Sequence, residues 1–141
     1  MKQLSATESQ FVLSFDRGEE LFSLLLSWVS DESVRGATLT GLGAADSLEV
    51  AYYNLATKEY ERHLIDEEVE ILSLTGNIAL LNDAPLLHIH GVFGRKDLST
   101  FGGHLFMLRI SGAGEIHLTK TNPLKRAHDM TTGLNLLCGL K

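Results

Sequence analysis

The chain has 141 residues, of which 44% are apolar and 21% charged, a balance that suits one domain (1–141) able to bury a core without disulfide or metal staples. Its formal net charge of −6 opposes non-specific nucleic-acid binding, which needs Lys and Arg to neutralise phosphates. One cysteine, Cys138, rules out an internal disulfide. The polar residues 1–10 and the short apolar runs lead us to expect a cytoplasmic protein with no membrane partner.

Residues 11–15 form a short β-rich run that Asp16-Arg17-Gly18 breaks. From Glu19 to Ser30, Leu21, Leu24, Leu25 and Trp28 recur at helical spacing, with Asp16 as the expected cap and Glu19 and Glu20 in the first turn. The remainder reads as strands. Residues 35–43 form one, with Gly41-Leu42-Gly43 as a bulge or tight turn. Residues 47–55 and 60–65 form a hairpin across 56–59. Asp66-Glu67-Glu68 is an acidic, solvent-exposed turn. Strands follow at 69–76 with continuation at 78–81, at 86–93, 101–111 and 115–121, and a last one at 134–140. Pro85 and Pro123 fall in expected connections. Arg95-Lys96 and Lys120…Lys125-Arg126 read as solvated loop charges, and Cys138 as a buried core residue. One helix followed by many strands predicts an α+β fold with an antiparallel-rich sheet.

The chemistry concentrates in three of the six histidines. His88 and His90 stand two apart on a predicted strand, so their side chains share a face, with Cα atoms roughly 6.5–7 Å apart. His104, preceded by Gly102 and Gly103, begins the next predicted strand, and the glycines remove side chains and permit unusual backbone angles there. Three imidazoles on adjoining strands suit a divalent transition metal, zinc first, with an open fourth position for water or a small ligand. His63, His117 and His128 each stand alone and are weak candidates. Glu70, inside an apolar strand, must face water or find a partner, with the histidines one option. No nucleophile elbow or dinucleotide fingerprint is present, so no catalytic residue is assigned.

Three segments in order, Val69-Glu70-Ile71-Leu72-Ser73-Leu74-Thr75-Gly76, Leu87-His88-Ile89-His90 and Phe101-Gly102-Gly103-His104-Leu105, make the chain similar to the PPC domain, conserved in plants and prokaryotes. The resemblance covers nearly the whole chain. It implies an α+β fold assembled as a homotrimer, and a metal site at His88, His90 and His104. It also implies a DNA-binding or regulatory role by association with plant members, which carry AT-hooks. This chain has no Arg-Gly-Arg-Pro hook, and its acidic turn stands where plant members have Gly-Arg. The alternative is a metal-dependent enzyme or small-ligand sensor. The segments 101–110 and 134–140 are the expected subunit contacts.

Overall fold

The computed structural model describes residues 1–139. In chain order the elements are β1 (Lys2–Ala6), β2 (Gln10–Phe15), α1 (Leu21–Asp31), β3 (Ala37–Asn54), β4 (Glu59–Ile65), β5 (Val69–Leu81), β6 (Ala84–Gly94), β7 (Thr100–Lys120), β8 (Lys125–His128) and β9 (Asn135–Cys138). The fold is α+β. Its strands pair antiparallel throughout except where β8 runs parallel to β5.

Two long strands organise the sheet. Residues expected as two strands on each side of a break form β3, with 18 residues, and β7, with 21. Bulges rather than turns absorb the irregular sequence. The β3–β5 register slips between Gly41 and Gly43, and a Cβ at Gly43 would lie 2.2 Å from the Ala113 carbonyl oxygen. Gly43 also has a φ of +149°, so glycine is required there twice over. The bend lets β3 pair with β5 through its first half and β4 through its second, with β7 alongside for most of its length. Because β6 pairs with both β5 and β7, the strands β3, β5, β6 and β7 close into a ring.

Inside the ring, inward residues alternate with outward ones. Leu48, Leu74, Ile78, Ile89, Phe93, Leu105, Leu108 and Ile110 are essentially inaccessible to solvent. The helix adds Leu21, Leu25, Trp28 and Val29 from one face, and Trp28 meets Phe11 edge-on at 5.1 Å between ring centroids. Its cap differs from expectation. Glu20 accepts from the Phe22 and Ser23 amides at 2.9 and 2.7 Å, whereas Asp16 lies too far upstream and pairs with Lys2.

Other sequence expectations need correction. β1 had no apolar signature because all five of its residues are exposed, and backbone pairing to β2 alone defines it. Pro85 lies inside β6, next to its start, where a missing amide is tolerated. Cys138 is exposed, because β9 sits at the sheet's margin. Of the expected last strand, residues 135–138 are β9 and Leu140 lies outside the described residues. In the segment 101–110, Leu105, Leu108 and Ile110 belong to the monomer's own core.

Candidate metal centre

β6 shows why the histidines converge. Ile89 and Phe93 point into the ring and are fully buried, so period-two alternation sends His88 and His90 to the outer face. β7 is paired so that His104 lies directly opposite His90. That close pairing depends on glycine. A Cβ on Gly102 would lie 2.4 Å from the Gly91 carbonyl oxygen, and one on Gly103 would lie 2.7 Å from that of Ala51. Neither glycine has a left-handed φ. Their role is close backbone approach on both sides of β7, not the unusual angles expected from the sequence.

One nitrogen from each of His88, His90 and His104 lies within 4.8 Å of the other two. His88 Nε2 and His90 Nε2 are 3.2 Å apart. Two nitrogens bound at tetrahedral angles to a zinc ion, each at about 2.0–2.1 Å, are separated by about 3.3–3.4 Å, so this pair is already spaced for one ion. Burial pushes the pKa of both His88 and His104 down to about 4, helped by Arg126 and the neighbouring rings. Both imidazoles are therefore neutral at pH 7, the protonation state in which an imidazole can bind a cation. His104 Nδ1 is buried and has no hydrogen-bond partner. An orphaned nitrogen of this kind is costly unless something fills it.

Packed around the trio are groups that the sequence did not mark. Tyr60 from β4 lies 4.8 Å from the His104 ring and Phe106 lies 4.7 Å from it, centroid to centroid. Arg126, expected in a solvated loop, instead sits on β8 and turns its guanidinium into the site. It donates to Asn135 O at 2.6 Å and to Asn77 Oδ1 at 2.8 Å, and its Nη2 lies 2.9 Å from His88 Nδ1. Its spacing from the histidines in sequence carried no signal. Only the parallel β5–β8 pairing, which places Arg126 beside Leu81, brings it near.

The donor set fits a divalent transition ion, with one condition. A neutral imidazole bound to an ion through Nε2 carries its hydrogen on Nδ1. His88 Nδ1–H would then face the Arg126 N–H, donor against donor. Ion loading through His88 Nε2 therefore requires the guanidinium to move off His88.

The remaining candidates lie elsewhere. His63, His117 and His128 are exposed and take no part in the cluster. Glu70 is exposed and pairs in register with Gly94, at the far end of β5 from the Thr75–His90 pairing. The acidic turn is exposed as expected, but each carboxylate is engaged. Asp66 accepts from Ser47 at 2.5 Å, Glu67 from Arg95 at 2.7 Å and Glu68 from Ser111 at 2.7 Å. The Arg95 guanidinium also lies 4.1 Å from the Phe101 ring centroid.

A ring of strands with a histidine cluster on its outer face defines a small α+β domain with a candidate metal centre. Residues 3–122 match the Plants and Prokaryotes Conserved (PCC) domain, and the chain belongs to that family. The same fold is found in a candidate DNA-binding protein from Bacteroides thetaiotaomicron, 28% identical, with a TM-score of 0.92 over 97% of this chain and 96% of that one. A metal-containing protein from Archaeoglobus fulgidus is 29% identical, with a TM-score of 0.87 over 99% of each chain. A plant- and prokaryote-conserved protein from Pyrococcus horikoshii is 28% identical, with a TM-score of 0.84 over 94% of this chain and 92% of that one. No curated protein matches the sequence. No helix among the described residues is long and apolar enough to cross a membrane.

Proposed function

We propose that this PCC-domain protein is a metal-centred binding module in which His88, His90 and His104 hold a divalent transition ion, zinc first. The convergence of three imidazole nitrogens within 4.8 Å carries the reading. The metal-containing name of the Archaeoglobus relative supports it. Three protein ligands leave a coordination position open, and the cavity beside the trio gives a small molecule access to it. The module is therefore a ligand sensor or a metal-dependent enzyme; no group in the cavity commits it to one reaction. The test is a zinc titration of metal-stripped protein. One equivalent per chain is expected, and a chain that takes up no zinc, nickel, copper or iron would end the proposal.

A regulatory role on DNA is the second reading, favoured by the name of the Bacteroides relative. The net charge of −6 weighs against direct phosphate contact, so any DNA role would run through a partner. Gel-shift measurements at low salt are expected to detect no binding of the protein alone. The assembly we propose is the homotrimer. Exposed apolar side chains on the outer strand faces, Leu72 and Val92 among them, support burial against another copy. Light scattering should return three times the 15.5 kDa chain mass.

A further inference from the structure

Beside the histidine trio lies a cavity of about 790 Å³. That volume lies within the range of small-molecule sites. Tyr53, Tyr60, Phe106, Leu87 and Leu134 give it a mainly apolar wall. The β8–β9 hairpin closes one side and is tied down at the loop between its strands, where Tyr53 donates to Thr132 O at 2.7 Å and Lys58 to Met130 O at 2.8 Å. Lys58 is exposed, so water can serve the N–H groups that the carbonyl leaves over. Arg126 is the other cation on the wall, and its circumstances are different.

All the partners of Arg126 are neutral: an amide oxygen, a backbone carbonyl and an imidazole nitrogen. Among the described residues no carboxylate pairs with it, although five ion pairs form elsewhere. Its Nε is buried without any partner. A half-buried guanidinium in an apolar cavity, with two of its five N–H donors unspent and no counter-charge, is an arrangement that an anion would relieve. The planar fork suits a carboxylate, which accepts two parallel N–H bonds.

We propose that the cavity binds a small organic carboxylate with an apolar body, its carboxylate held by Arg126 and its body against the aromatic wall. The placement of that carboxylate beside an ion rests on the metal reading above. Coupling follows from the same geometry. An ion held through His88 Nε2 would make His88 Nδ1 a donor and release the one Nη2 N–H that now points at it, while Nη2 keeps its bond to Asn77; that N–H would then be available to the incoming carboxylate. Each ligand therefore favours the other, by the same factor in both directions.

Hexanoate is a suitable probe, with hexanamide as its uncharged counterpart and inorganic phosphate as the competing anion. Each is titrated calorimetrically into the full chain, with and without one equivalent of zinc. Hexanoate should bind at least tenfold tighter than either competitor, and several-fold tighter with zinc than without. Arg126→Gln should erase the preference over hexanamide and should tighten zinc uptake, since no guanidinium then opposes His88 Nδ1–H, and Arg126→Lys, which keeps the charge but not the fork, should retain part of the preference. Equal affinity for hexanoate and hexanamide in the unmodified protein would overturn the proposal without reference to any variant. Tighter binding of phosphate would overturn the carboxylate assignment, and a zinc-independent hexanoate affinity in protein that holds zinc would overturn the coupling. Should zinc fail to bind while the hexanoate preference persists, the metal reading falls and the Arg126 anchor stands. The reverse pattern, zinc bound with no preference, removes the anchor alone.

Discussion

The acidic turn at Asp66–Glu68 and the histidine trio are both dense polar clusters on the outside of the same ring of strands, yet their hydrogen bonding is opposite. In the turn, every carboxylate meets a donor from another part of the chain: Ser47 on β3, Arg95 after β6 and Ser111 on β7. Its capacity is used within the protein, and its job is to clasp the β4–β5 connection. At the trio, His104 Nδ1 and Arg126 Nε are buried without partners, and a cation rests against neutral acceptors. A cluster that satisfies itself is scaffold. One that keeps buried capacity unspent is prepared for something from outside.

That contrast can be broken from either side. Replacing His88, His90 or His104 singly by Ala should give the largest effect, a fall in zinc affinity on the order of a hundredfold or more, with the circular dichroism spectrum retained; losing only a supporting contact costs about 10–100-fold. Zinc affinity unchanged in any one of the three would remove that residue from the ligand set. Next comes Gly102→Ala, whose Cβ would meet the Gly91 carbonyl oxygen at 2.4 Å. It should destabilise the fold by about 1–3 kcal/mol in urea unfolding and weaken zinc binding as β7 is pushed from β6. A variant as stable as the parent would show that the β6–β7 spacing is not set by that contact.

Acid should probe the trio more gently. In metal-free protein, His88 and His104 titrate near 4, below the ordinary histidine value of 6.5, so the unfolded chain binds their protons first as pH falls. Stability should be level above about pH 6.5, decline between 6.5 and 4, and level again with respect to these groups below 4. Replacing both residues by Gln should flatten that decline, and an unaltered pH profile in the double variant would place its origin elsewhere. The smallest effect belongs to the turn. Ser111→Ala removes one donor to an exposed carboxylate that water can serve instead, and should cost about 0.5–1.5 kcal/mol with zinc affinity untouched. Any loss of zinc binding there would mean the two regions are coupled.

Much of the fold was open to reading from composition and period. The helix with Leu21, Leu25 and Trp28 and the alternating β5 and β6 announce themselves because half of each element faces the core. The pair His88 and His90 was legible for the same reason, and His104 because it begins the next strand in the chain; the close backbone approach that Gly102 and Gly103 allow was visible only in the structure. β1 was hidden because it buries nothing, and the continuity of β3 and β7 because bulges and turns share the same residues.

The amino-acid sequence by itself determined the α+β class, the family and the three histidines, since each depends on local period or on residues near in the chain. Only the tertiary structure decided that Arg126 belongs with them, that Cys138 lies outside the core and that the acidic turn is spent on internal bonds. Those facts depend on pairings between strands far apart in sequence, above all β5 with β8, whose register no local pattern encodes.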